Sequence, residues 1–174
     1  GHRAGVYGRH RGRRRRVRRL ATALGLALAC AGASSAAEGE QPVKDQVRVA
    51  LMATVPVKWD LQHNFDVFLD LVAKADEQGA EILVTPECWL DGYASPDKES
   101  SPDRLRGVAQ TVGGSDYLAA VAAEAQARRM WIAFGFIEER DGKIYNACGL
   151  WNDKGEIVGV YHKTHLQGHD LQFS

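Results

Sequence analysis

Two charged residues stand at the ends of apolar runs, where side chains can do chemistry. Glu87 follows Ile82-Leu83-Val84-Thr85-Pro86, and Lys163 follows Val158-Gly159-Val160-Tyr161-His162. A carboxylate at an apolar strand end is expected to be partly desolvated, the setting in which a general base works. A lysine leaving an apolar strand offers fixed positive charge to a developing oxyanion. Taken singly, each also reads as an ordinary solvated strand-end residue. Ligands of open α/β sheets bind beyond the carboxyl ends of the strands, and both residues are expected there.

The flanking sequence supplies elements that can position them. Val47 to Ala53 reads as a buried strand. Asp60 is placed to cap a helix whose apolar residues Leu61, Phe65, Phe68, Leu69 and Val72 recur at helical spacing, with Gly79 to close it. Glu81 to Thr85 is a second strand, which completes a βαβ unit with parallel neighbours. Residues 94–103 are rich in Ser, Pro, Asp and Lys and read as a loop. A second helix is expected from Ser115 to Met130, with Leu118, Val121, Ala122 and Ala125 on one face. Trp131–Ile137, Lys143–Trp151 and Ile157–His162 are three further strands, separated by turns at Asp141-Gly142 and Asp153-Lys154-Gly155. The order predicts an α/β sheet with an antiparallel edge.

Composition narrows the function. Formal net charge is zero, but nine of the 22 Lys and Arg lie in the first 19 residues, and no acid precedes Glu38. From Glu38 onward 13 basic residues face 22 acidic ones. An acidic body argues against nucleic acid as a partner, because phosphate contacts need clustered Lys and Arg. The basic head runs into Leu20–Ala29, an apolar stretch too short to span a membrane, and then into small residues. Residues 1–37 are therefore expected to be a signal peptide, with Arg18-Arg19 compatible with a twin-arginine route. Residues 38–45 read as a linker and 46–174 as the N-terminal part of a folded domain. Secretion or periplasmic export is the expected localisation, with no membrane span after cleavage. A chain opening on Gly1 is expected to lack its natural start.

Three cysteines, Cys30, Cys88 and Cys148, show no metal-ligand spacing. Cys88 adjoins Glu87, and neighbours on an extended segment point to opposite faces. Cys148 is expected on the same strand face as Asn146, as an inert core thiol. Tyr93 and Asn146 are candidates for lining the pocket or orienting Glu87 and Lys163, or for structural roles alone. His165 and His169 are poor metal ligands, since they lie four apart on non-helical sequence. No metal or organic cofactor is expected.

Thr85-Pro86-Glu87 with Asp91-Gly92-Tyr93 resembles the glutamate motif of the nitrilase superfamily. Tyr161-His162-Lys163-Thr164-His165-Leu166 resembles its lysine motif, and Tyr145-Asn146 with Asp153–Gly159 resembles the segment leading into it. The resemblance covers about Val47 to Leu171. It implies a Glu–Lys–Cys triad, in which Glu87 is the base and Lys163 the cation beside the tetrahedral intermediate. It also implies an α-β-β-α sandwich, of which this chain is expected to supply about the first half. The family nucleophile follows the lysine by some tens of residues. The 174 residues are therefore expected to be a fragment without turnover of its own, from a parent that hydrolyses linear amides, N-carbamoyl compounds or nitriles. A catalytically dead scaffold and an amine-accepting acyltransferase are the alternatives. Many members carry a second glutamate after the lysine. Here Asp170 is the only acid in that stretch, so either Asp170 takes the part or it is missing. A small amide-like substrate and a homo-oligomeric parent are expected, and the half-sandwich is expected to leave apolar faces open.

Overall fold

The computed structural model describes residues 45–168 and Asp170. The expected signal segment and the linker as far as residue 44 lie outside the described residues, as do His169 and the last four residues. Five strands form one sheet in the order β1 (Val49–Leu51), β2 (Ile82–Val84), β3 (Trp131–Arg140), β4 (Lys143–Trp151) and β5 (Ile157–His162). β1, β2 and β3 run parallel, and β3, β4 and β5 are antiparallel neighbours. The architecture is α/β, as the sequence predicts.

The helices start and stop where local chemistry requires. In α1 (Leu61–Glu77), the Asp60 carboxylate accepts the His63 N–H at 3.0 Å, which satisfies one of the free amides of the first turn. The chain leaves α1 through Gly79 in the left-handed region, with Ala80 N–H bonded back to Ala75 O at 3.0 Å. In α3 (Asp116–Arg128), Ser115 caps the first turn. Between them lies α2 (Pro102–Val108), capped by Ser101 and started by Pro102, with Leu105 fully buried. The polar composition before it hid this short helix, whose amphipathic signal is a single leucine.

One face of the sheet packs on α1 and α3. Phe68, Val72, Val121 and Ala125 from the helices meet Leu83, Ile132, Phe134 and Phe136 from the strands. Phe68 and Phe134 contact edge to face at 5.0 Å between centroids, a favoured arrangement of ring quadrupoles. On the opposite face Cys88, Ala94 and Leu105 cover Ile137 and Ile144, and the face is open toward β1 and β2. Register places Val49, Ile82 and Trp131 in one row across it and Leu51, Val84 and Ala133 in the next. Leu51 is 72% exposed. The first strand is thus not buried as expected. It is the sheet edge, and among the described residues only its Ala50 face packs on the core.

Candidate active site

The segment that carries Glu87 is anchored where β2 ends. Thr85 N–H donates to Ala133 O at 3.0 Å, and Gly135 N–H donates to the Thr85 hydroxyl at 2.9 Å. The chain then crosses directly over Gly135. A Cβ at that position would lie 2.5 Å from Pro86 O and 2.9 Å from Cys88 N, both backbone atoms that cannot swing aside. Glycine is thus what lets this segment lie on β3. The following turn is held from the other side by Asn64, which is fully buried. Its amide donates to Leu90 O at 3.0 Å and to Val57 O at 2.7 Å, and its oxygen accepts Val57 N–H at 2.7 Å. One side chain on α1 therefore ties the loop after β1 to the loop after Glu87. The sequence reading did not single out Asn64, because a polar residue inside an apolar helical stripe was the only signal.

β4 and β5 bring the partners. Asn146 lies on the open-face side of β4, and its amide donates to Glu87 Oε1 at 2.6 Å. Lys163 follows β5 and is held there by its own N–H, which donates to Asn146 O at 2.8 Å. Its ammonium lies 2.9 Å from Glu87 Oε1 and 2.6 Å from Asp170 Oδ2. Asp170 has no exposed surface. It also accepts Gln167 N–H at 3.2 Å and the Ser95 hydroxyl at 3.3 Å. The hydrogen bond to Asp170, then that to Glu87, raise the Lys163 pKa well above the ordinary lysine value, so the group is a fixed cation. Both donors converge on Oε1 of Glu87. No hydrogen bond to Oε2 is found among the described residues.

Two openings meet at Glu87. A cleft of about 240 Å³ is bounded by Glu87, Gly135, Asn146, Cys148, Tyr161 and Lys163. A second, of about 420 Å³, runs past Val55, Lys58, Glu87 and Tyr93. The Tyr93 hydroxyl is held above its usual pKa by partial burial and then by the charge of Glu87, so it is a neutral hydrogen-bonding group.

The sequence-based expectations fare differently residue by residue. Glu87, Asn146, Lys163 and Asp170 come together, and Tyr93 lines the adjoining cleft. The Glu87 side chain is 46% exposed, so the desolvation expected at an apolar strand end is not provided by the described residues. Its surroundings are an open face, not the packed core that its apolar predecessors suggested. His165 is exposed, and its ring nitrogen meets the Thr164 hydroxyl at 3.1 Å, with no hydrogen bond to Glu87 or Lys163. Cys88 does avoid the cleft, but for a different reason from the one expected. It sits in a turn with φ +46°, not in an extended segment, and is buried against Leu105, Ile137 and Ile144. Burial and then the charge of Asp91 push its thiol pKa well up. Cys148 is not a core thiol. It is half-buried on the cleft floor, two residues from Asn146, with its pKa also raised by burial.

Residues 48–173 match the family model of the carbon–nitrogen hydrolases. The chain is 33% identical over 137 residues to a hydrolase encoded in the pqqF 5′ region of Pseudomonas protegens, covering 74% of this chain and 42% of that protein. It is 27% identical over 134 residues to an arylacetonitrilase of Aspergillus oryzae, covering 72% of this chain and 40% of the relative. Among solved structures, a mutant of the amidase from Nesterenkonia sp. AN1 in complex with butyramide superposes with a TM-score of 0.57 at 26% identity, over 72% of this chain and 46% of that one. The chain spans less than half the length of each of these proteins.

Proposed function

This chain belongs to the carbon–nitrogen hydrolase family, and from that premise we propose that Glu87 and Lys163 are the base and the oxyanion-side cation of an amide-cleaving site. The observation that carries the reading is the convergence of the Lys163 ammonium and the Asn146 amide on one oxygen of Glu87, at 2.9 and 2.6 Å. This arrangement fixes the carboxylate at the edge of the cleft while leaving its second oxygen without a donor among the described residues. Such preorganised polar groups act at full strength without rearranging during reaction.

In the proposed reaction a cysteine thiol passes its proton to Glu87 as sulfur attacks the substrate carbon. The negative charge that develops on the substrate oxygen is met by the Lys163 ammonium. Glu87 returns the proton to the departing nitrogen, ammonia or an amine leaves, and a thioester remains. Glu87 then takes a proton from water, whose attack releases the acid and restores the thiol. Cys88 is enclosed on the far side of its turn, and burial raises the pKa of the Cys148 thiol on the cleft floor, which disfavours its thiolate. We therefore assign the nucleophile to residues beyond Ser174 in the whole enzyme, and the 174 residues alone are expected to be inactive. The open rows of Val49 and Trp131 and of Leu51 fit a face that a second sheet covers in the complete sandwich.

Linear amides are the proposed substrates, with N-carbamoyl compounds and nitriles next. The basic head and apolar run of residues 1–37 support export of the enzyme as part of the same proposal. The test is an assay of the whole enzyme on amide, carbamoyl and nitrile panels, with Glu87→Gln and Lys163→Ala beside it. Loss of at least 100-fold in kcat in both variants is expected. Retained activity in Glu87→Gln, or turnover by the 174-residue chain that Cys148→Ser abolishes, overturns the assignment.

A further inference from the structure

On the far side of the sheet from Glu87, three strands bring a second set of polar side chains together. Glu138 on β3 is 3% exposed. Its carboxylate meets the His162 Nε2 of β5. The Tyr145 ring of β4 stacks on the imidazole at 4.1 Å between centroids and 8° between planes. Register accounts for the placement. Glu138 pairs with Tyr145, and Ala147 pairs with His162, so these side chains share the helix-side face with Phe136. The next residue along each strand, Asn146 and Lys163, turns to the open face and to Glu87.

We infer that Glu138 and His162 form a positioning pair, which sets the place of the Lys163 ammonium from behind the sheet. The inference rests on the reading of the front face as an amide-cleaving site. His162 is the last residue of β5, and Thr164, His165 and Leu166 beyond the lysine are exposed. Strand ends fray unless their final residues are held. Lys163 is held on its far side by Asp170 and on its near side by the strand that His162 terminates. A buried carboxylate with a histidine partner is a poor device for stability, since apolar residues of the same volume serve at least as well. What an apolar pair lacks is direction. A hydrogen bond between Glu138 and His162 fixes the rotation and the reach of the strand end, and the lysine one residue on inherits both.

The test separates stability from positioning in the whole enzyme. The double variant Glu138→Leu with His162→Leu is expected to melt at or above the wild-type temperature. Its kcat is expected to fall at least tenfold, with KM within twofold. His162→Gln restores a donor toward Glu138 and is expected to recover kcat to within threefold of wild type. Wild-type kcat in the double variant, or a glutamine no better than leucine at position 162, overturns the proposal. Should the double variant not fold, His162→Leu against His162→Gln decides. A fivefold advantage in kcat for glutamine is expected, and equal rates sink the idea. Should the wild-type enzyme cleave no carbon–nitrogen substrate, the functional reading fails, and hydrogen exchange judges the pair instead. The Lys163 amide, bonded to Asn146 O, is then expected to exchange at least tenfold faster in the leucine variants and normally in His162→Gln. Unchanged exchange overturns the positioning role.

Discussion

The Asp170 carboxylate, wholly enclosed, lies 2.6 Å from the Lys163 ammonium. The sequence left two readings open at Asp170, and this contact supports the one in which it holds the lysine. Removing one member of a fully buried pair costs about 3–5 kcal/mol. Lys163 keeps 21% of its side-chain surface exposed, so the loss on Asp170→Ala is expected nearer to about 2 kcal/mol. Asp170→Asn keeps the shape and the contact to Gln167 but not the charge. It is expected to lower the Lys163 pKa and to reduce kcat more than stability, read by lysine side-chain NMR and a rate assay.

Asp91 carries a different signature. It is buried, and its Oδ2 accepts Ala94 N–H at 2.9 Å, while Oδ1 has no hydrogen-bond partner among the described residues. Burial pushes its pKa up to about 7, and the nearby charge of Glu87 adds to the rise. Below pH 4 the acid is neutral in both folded and unfolded chains, and it imposes no penalty. Between pH 4 and 7 the unfolded chain ionises and the folded one does not, so stability falls as pH rises. Above pH 7 the accumulated loss is constant, on the order of 4 kcal/mol. Asp91→Asn removes the ionisation and keeps an acceptor for Ala94. It is expected to equal wild type near pH 4 and to exceed it increasingly up to pH 7 in urea unfolding. Parallel stability curves across that range refute the claim.

Gly135 is the floor on which the Glu87 segment rests. In Gly135→Ala the added methyl meets two backbone atoms at 2.5 and 2.9 Å, so the segment must lift. Overpacking of this kind costs about 1–3 kcal/mol. A displacement of about 1 Å at a catalytic group can cost on the order of 100-fold in rate. A large fall in kcat with a modest fall in melting temperature is the expected pattern, and a wild-type rate refutes it.

The two described thiols are expected to separate under alkylation. Cys148 faces the cleft, whereas Cys88 is 1% exposed. Both have raised pKa values, so both react more slowly than free cysteine at pH 7. Peptide mapping after a brief maleimide pulse is expected to find Cys148 labelled and Cys88 untouched until the protein unfolds. Equal labelling refutes the burial of Cys88.

Much of this protein is written in its local sequence. Apolar spacing and the Asp60, Gly79 and Ser115 signals locate α1 and α3, because caps and helical periodicity act within a few residues. The turns at Asp141-Gly142 and Asp153-Lys154-Gly155 separate the three antiparallel strands for the same reason, and the motifs around Glu87 and Lys163 mark the residues proposed to react. The tertiary structure alone decided which surfaces are covered and which atoms meet. It made β1 an exposed edge, moved Cys148 from an expected core to the cleft floor, and gave Glu87 an open carboxylate. It also recruited Asn64, Gly135, Glu138 and Asp170, which lie up to 75 residues from the groups they hold. Burial, close backbone approach and hydrogen bonding between distant segments depend on the register of the whole sheet, and no window of neighbouring residues contains that register.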